Sequence, residues 1–107
     1  MNARFTVDSA PTRLTLGFHG RLDSAHCAGL HDAVLAQVNA AAPEQVLRFD
    51  LAGTDFVASA FLRLCILAAR TRGAGRFEIA DPAPLVREVF AMAGLDRHLS
   101  IVETAAQ

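Results

Sequence analysis

Segments of two-residue hydrophobic periodicity alternate along this chain with longer segments that have a helical pattern. In the stretch QVLRFDL, Leu47, Phe49 and Leu51 alternate with polar neighbours, as in a β-strand with one buried face. The stretch before it repeats apolar residues at steps of three and four, and the stretch after it is apolar almost all round, as in helices packed on a sheet. Because parallel strands need a crossover connection, this alternation predicts an α/β domain with a mostly parallel sheet.

The predicted order of elements is β-β-α-β-α-β-α-β, with a mixed sheet of about five strands flanked by helices. The first two strands form a hairpin with Pro11 between them. Asp23 is a good N-cap for the first helix, and Pro43 ends that helix. The second helix is predicted from Ser59 to about Arg72. The apolar stripe of the first helix consists of Cys27, Leu30, Val34 and Val38.

The C-terminal third is predicted to add two short strands and a third helix. The strand RFEIAD leads to DPAP, where Asp81 is the expected cap of the third helix and proline is tolerated in the first turn. Gly94 ends this helix, LSIV forms the last strand, and the polar tail at 103–107 is expected to fray. Residues 1–107 are thus expected to form one domain. The stripe expected to be buried consists of Leu85, Val86, Val89, Phe90 and Ala93.

The composition of the 107 residues is that of an ordinary globular domain. Hydrophobic residues make up 52%, charged residues 20%, and the formal net charge is -1, so nucleic acid is not an expected partner. Cys27 and Cys65 lie in apolar helical patterns without a C-x-x-C spacing, which predicts buried reduced thiols. No signal peptide and no membrane-length apolar stretch are found, so we expect a cytoplasmic protein that is not inserted in a membrane.

Motifs for catalysis and metal binding are absent from the sequence. The four histidines lack a ligand spacing such as H-E-x-x-H, and His26 and His31 lie too far apart around a helix to share an ion. Ser59 lies in VASAF, which lacks both glycines of the G-x-S-x-G elbow of serine hydrolases. The glycines at 73–75 lack the lysine of a phosphate-binding loop. We therefore expect a protein that is not an enzyme and that uses no cofactor or metal.

Ser59 stands where a predicted strand gives way to a predicted helix, and two roles are open to it. As a helix cap, its hydroxyl would accept a hydrogen bond from a first-turn N–H and contribute about 1 kcal/mol. As a modified residue, it would carry a phosphate that the first-turn N–H groups and the helix dipole stabilise. The second role adds roughly two negative charges to a surface that a partner can recognise.

Three stretches in the same order resemble the STAS domain family, the family of anti-sigma factor antagonists. GRLDSAHCAGL at 20–30 is similar to the family's G-x-L-D-x-x-x-A-x-x-L opening of the first helix. LRFDLAGTDFVASAFLRL at 47–64 resembles its strand, loop and helix around a D/S-S-S/T/A-G-L motif. ADPAPLVREVFAMAGLDRHLSI at 80–101 resembles its last helix and strand. The likeness covers nearly the whole chain.

The resemblance implies a regulatory protein-binding domain that is switched by phosphorylation. Ser59 matches the serine that an anti-sigma factor kinase of the GHKL ATPase type phosphorylates in the family, and Asp23 matches an aspartate near it. The unphosphorylated form binds that kinase and frees a sigma factor, and a phosphatase, expected to be of the PP2C type, restores it. The implied partner-binding residues lie on the segment 54–58 and at the starts of the first two helices. They are Asp23, Ser24, Thr54, Asp55, Val57, Ala58, Ser59, Ala60, Phe61 and Arg63.

Two residues depart from the family pattern and leave a second role open. Ala58 stands where aspartate is common, and Phe61 stands where the family has glycine. An exposed Phe61 would be a natural anchor for constitutive binding, whereas a buried Phe61 would only pack in the core. The alternative function is a non-phosphorylated adaptor or scaffold subunit of a larger assembly, a role that STAS domains also have beside lipid-transporting ABC proteins. Both a monomer and a dimer are compatible with the sequence.

Overall fold

The structure, a computed structural model, describes residues 5–104. Five strands form one sheet, and the predicted order of strands and helices is confirmed. None of the helices formed by these residues is long and apolar enough to cross a membrane. The elements are β1 Thr6–Ala10, β2 Arg13–Leu22, α1 Ser24–Ala40, β3 Val46–Val57, α2 Ser59–Arg72, β4 Phe77–Ala80, α3 Pro84–Met92, a 3-10 helix Leu95–Arg97 and β5 Ser100–Val102.

The strands lie in the sheet in chain order, from β1 to β5. β1 and β2 are antiparallel and form the predicted hairpin, whereas the other neighbouring pairs are parallel. The register between β2 and β3 shifts twice within residues 17–21 of β2. Such irregularities bend a strand and change the direction of its last residues. Pairing nevertheless continues to Leu22 and Val57, so both strands end directly before a helix.

One hydrophobic cluster joins the sheet to all three helices. At its centre, Phe18, Phe49 and Phe61 are fully buried, with ring centroids 5.0, 5.1 and 6.0 Å apart. Cys27 and Cys65 are buried and unpaired, as predicted. Burial raises the pKa of both thiols above the ordinary thiol value, so both are neutral near pH 7. The predicted stripe of α1 is confirmed as Cys27, Leu30, Val34 and Val38.

The predicted stripe of α3 is only partly right. Val86 and Phe90 are buried, at 1% and 0% exposure, and Val89 is half-buried. Leu85 is 71% exposed and Ala93 is exposed as well, which contradicts the prediction for both. The reason is geometric: Val86 and Phe90 are one turn apart and point at the core, and Leu85 is rotated by about 100° from Val86 and by about 140° from Phe90.

Asp81 does not cap α3, contrary to the prediction. The N-cap residue is Ala83, and Asp81 instead accepts hydrogen bonds from the backbone N–H of Thr104, at 2.8 Å, and from its hydroxyl. Arg87 also pairs with Glu103, at 2.9 Å. Glu103 and Thr104 of the tail predicted to fray thus have contacts in the structure, and its remaining part, 105–107, lies outside the described residues.

Asp23 is the N-cap of α1, as predicted, and its Oδ1 accepts a hydrogen bond from the backbone N–H of His26 at 2.9 Å. We expect Asp23→Ala to lower the free energy of unfolding by about 1 kcal/mol, because this N–H loses its acceptor. Asp23→Asn should cost little, since asparagine caps helices about as well. Urea unfolding of both variants measures the two effects. If both variants lost the same free energy of unfolding, Asp23 would contribute through its charge rather than through a hydrogen bond.

Candidate functional site

Strand β3 ends at Val57, and α2 begins two residues later at Ser59. The N-cap position is Ala58, and no side chain among the described residues caps the helix. The cap role considered for Ser59 is therefore wrong: the cap position is one residue earlier. Ser59 is the first residue of the helix and is exposed, so its hydroxyl is accessible to another protein.

Backbone hydrogen bonds hold the start of α2 against the sheet. The N–H of Ala58 donates to the carbonyl of Leu22 at 2.9 Å, which ties the end of β3 to the end of β2. The N–H groups of Phe61 and Leu62 both donate to the carbonyl of Ala58, at 2.9 and 3.3 Å. The N–H groups of Ser59 and Ala60, which lie between Ala58 and Phe61 in sequence, have no backbone acceptor within residues 5–104. Unpaired donors of this kind give a helix N-terminus its partial positive charge, here beside Ser59.

The predicted partner-binding residues fall into an accessible set and a buried set. The accessible set surrounds the ends of β2 and β3 and the first turns of α1 and α2. The structure therefore brings most of the predicted residues to one end of the molecule. Exposed are Ser24, Asp55, Ser59 and Arg63, and half-buried are Asp23, Ala58 and Ala60.

Three predicted contact residues, Thr54, Val57 and Phe61, are buried, with 2%, 3% and 0% exposure. Their side chains cannot contact a partner, and the prediction is wrong for them. Segment 54–57 is not a loop, because β3 continues through it paired with β2, and the Thr54 hydroxyl donates to the carbonyl of Phe18 at 3.1 Å. Phe61 packs in the core, which excludes it as an exposed anchor.

A groove of about 330 Å³ lies between α1 and α2 and includes Ala60, the residue after Ser59. Its lining is mostly apolar, and Leu67 is 42% exposed there. Arg63 and His31 add basic groups. Within residues 5–104, no cluster of three His, Cys, Asp or Glu side chains could hold a metal ion. This α1–α2 groove is defined by Ser24, Ala28 and His31 of α1 and by Ala60, Arg63 and Leu67 of α2.

Sequence reasoning missed two kinds of residue at this end of the molecule. Ala28, His31 and Leu67 lie at helical spacing from predicted residues and so share a helix face with them, but the sequence does not show that these two faces meet. Arg21 and Phe56 face each other across β2 and β3, and the Arg21 guanidinium lies 3.9 Å from the centroid of the Phe56 ring. This pair depends on the shifted register of β2, for which the sequence carries no signal.

The chain matches the family model described as "Mlab, STAS domain" over residues 5–103, whereas no curated protein matches it. Solved structures of anti-sigma factor antagonists have a similar fold. The STAS domain protein of Planctomyces limnophilus is 20% identical, with a TM-score of 0.84 over 94% of this chain and 91% of that one. The antagonist of Mycobacterium paratuberculosis is 22% identical, with a TM-score of 0.83 over 94% and 86%.

A third similar structure is the Bacillus cell fate determinant SpoIIAA in its phosphorylated form. It is 17% identical, with a TM-score of 0.70 over 95% of this chain and 92% of that one. At such identities the solved structures show a shared fold alone. The family model, however, matches residues 5–103, which are almost all of the described residues. The chain therefore belongs to the STAS domain family.

Proposed function

We propose that this protein is a regulatory binding module of the anti-sigma factor antagonist type. It docks a protein partner at Ser59 and the α1–α2 groove, and phosphorylation of Ser59 releases the partner. The observation that carries the proposal is the position of Ser59, exposed as the first residue of α2 beside unpaired backbone N–H groups. A helix N-terminus stabilises an anionic group, so a phosphate can be accepted there without unfolding the helix.

The chemistry of the surroundings supports a switch that acts on the partner rather than on the fold. Ala58 and Ala60 flank Ser59 and carry no charge, and the groove beyond them is mostly apolar. A partner that covers the neutral hydroxyl on this surface must desolvate it. A phosphate with roughly two negative charges is far more costly to desolvate, so the same interface is weakened.

The expected partner follows from the STAS resemblance and is an anti-sigma factor with serine kinase activity of the GHKL ATPase type. A PP2C-type phosphatase would restore the hydroxyl, and both would act on a cytoplasmic protein that is itself not an enzyme. The similarity in fold to SpoIIAA, solved in an unphosphorylated and a phosphorylated form, supports this assignment.

A second candidate function is a constitutive adaptor in a larger assembly, such as a lipid-transporting ABC complex. The observation that favours it is the apolar α1–α2 groove with the exposed side chain of Leu67. This surface can bind a partner whether or not Ser59 carries a phosphate. Since Phe61 is buried, Leu67 replaces it as the candidate anchor of this alternative.

The switch is tested by comparing Ser59→Asp with Ser59→Asn, two variants of similar size that differ in charge. Against a candidate GHKL kinase partner, we expect Ser59→Asp to bind at least about tenfold more weakly than Ser59→Asn in isothermal titration calorimetry. Intact-mass analysis after incubation with the kinase and ATP should show one phosphoryl group on the wild type and none on Ser59→Asn. Equal affinities together with an unmodified wild type would reject the switch and favour the adaptor.

A further inference from the structure

A second cavity lies at the end of α2 that is remote from Ser59. Its volume is about 630 Å³, and it is bounded by the C-terminal half of α2, the turn at 73–75 and the segment 95–100. Small-molecule sites in proteins usually measure roughly 300–1,000 Å³. We call it the Arg70 cavity. None of its lining residues belongs to the proposed partner-binding surface.

The walls of the Arg70 cavity are largely apolar. Phe77 and Leu99 are buried, at 5% and 7% exposure, and Ile66, Ala69 and Leu95 are half-buried. These side chains come from α2, β4 and the segment after α3, so the cavity lies where three parts of the fold meet. Such a surface favours an apolar group, since contact with it removes hydrocarbon from water.

The polar lining of the cavity is basic. Arg70 and His98 are its titratable side chains, both exposed, and Ser100 adds a hydroxyl. Among the described residues that line it, none is acidic. A guanidinium group is permanently charged and fits a carboxylate with two parallel hydrogen bonds. The cavity thus combines apolar walls with a site suited to one anionic head group.

We propose that the Arg70 cavity binds a small amphipathic carboxylate of the fatty-acid class. The hydrocarbon chain packs on Phe77 and Leu99, and the carboxylate accepts hydrogen bonds from Arg70, with His98 and Ser100 as further polar contacts. Because the cavity and Ser59 lie at opposite ends of α2, the ligand and the protein partner occupy separate surfaces. The proposal does not depend on phosphorylation of Ser59.

Isothermal titration with dodecanoate, below its micelle concentration, tests this proposal. We expect saturable binding of one dodecanoate per chain and much weaker binding of dodecanol, which has the same hydrocarbon chain without the charge. Arg70→Gln should weaken dodecanoate binding about tenfold, as expected for the loss of one charge-assisted contact. Arg97→Gln is the matched control, because Arg97 is an exposed arginine next to His98 that does not line the cavity. It should bind as the wild type does.

Several outcomes would overturn the proposal. Absence of saturable dodecanoate binding would show that the cavity does not bind this ligand. Equal binding of dodecanoate and dodecanol would show that the cavity does not recognise the carboxylate. An equal loss in Arg70→Gln and Arg97→Gln would show that dodecanoate is attracted by overall charge and not held in the cavity. A fall in the helical circular dichroism signal during the titration would mean that dodecanoate denatures the protein. Retention of partner binding in Arg70→Gln keeps this test distinct from the test of the proposed function.

Discussion

Replacing Phe61 with alanine should lower the free energy of unfolding by about 3–5 kcal/mol. The Phe61 ring is fully buried, and its centroid lies 5.1 Å from that of Phe18 and 6.0 Å from that of Phe49. Removing it leaves a cavity between α2 and the sheet and abolishes an edge-to-face contact with Phe18. Urea unfolding at neutral pH, followed by far-ultraviolet circular dichroism, measures the loss.

Leu67→Ala is the matched control for this substitution. Leu67 lies on the same helix but is 42% exposed, so its truncation should cost less than about 1 kcal/mol. For partner binding we expect the opposite order, with a larger loss of affinity in Leu67→Ala than in Phe61→Ala, because Leu67 lines the α1–α2 groove and Phe61 does not. A Phe61→Ala protein that is as stable as the wild type and yet fails to bind its partner would contradict the structure.

The burial of Phe61 also explains how the chain tolerates a large residue where the STAS pattern has glycine. At the third position of α2, the side chain points inward against Phe18. The surface around Ser59 is therefore not blocked by the phenyl ring. Phe61 in place of glycine therefore changes the core of the domain, whereas Ser59 stays exposed at the start of α2.

The parts of the fold that sequence predicted well are those in which burial repeats over several turns or along a whole strand. α1 has 17 residues, and the four buried positions of its stripe follow from period alone. α3 has only nine residues and two buried positions, so an apolar residue such as Leu85 cannot be assigned to core or surface by period. Asp81 carried a strong cap signal, but it bonds to Thr104, 23 positions away in the chain.

The candidate site was only partly predictable, for a related reason. The motif around Ser59 placed the serine at a strand-to-helix junction, and the structure shows it as the first residue of α2. Local sequence could not show that segment 54–57 extends β3, since this depends on the shifted pairing with β2. It also could not show which residues of α1 face those of α2, because helix packing is decided by the whole core. For that reason the α1–α2 groove was found only in the structure.

Arg72, the last residue of α2, forms a polar contact that no sequence pattern indicated. Its Nη1 donates to the carbonyl of Ala41 at 3.1 Å, and its Nη2 donates to those of Ala42 and Gln45 at 2.8 and 2.6 Å. These three carbonyls belong to the connection between α1 and β3. One guanidinium group thus satisfies three backbone acceptors and fixes the end of α2 to that connection.

Gln45 extends the same network to the first hairpin. Its side-chain Nε2 donates to the carbonyl of Ala10 at 2.7 Å and to the Ser9 hydroxyl at 3.1 Å, and its Oε1 accepts from the N–H of Ala42 at 2.9 Å. Gln45 is buried, at 9% exposure. The side chains of Arg72 and Gln45 therefore join three parts of the fold, which are the end of α2, the α1–β3 connection and the β1–β2 turn.

We expect Arg72→Met to lower the free energy of unfolding by about 3 kcal/mol, because the carbonyls of Ala41, Ala42 and Gln45 lose their charged donor while methionine keeps the apolar stem. Arg72→Lys should recover only part of this loss, since an ammonium group lacks the planar fork that reaches several acceptors. Arg70→Met, in an exposed position of the same turn, should cost less than about 0.5 kcal/mol. Chemical denaturation of the three variants gives the comparison. An equal fall in the free energy of unfolding for Arg72→Met and Arg70→Met would contradict this prediction. It would mean that water hydrogen-bonds to the three carbonyls as well as the guanidinium does, so that the network does not stabilise the fold.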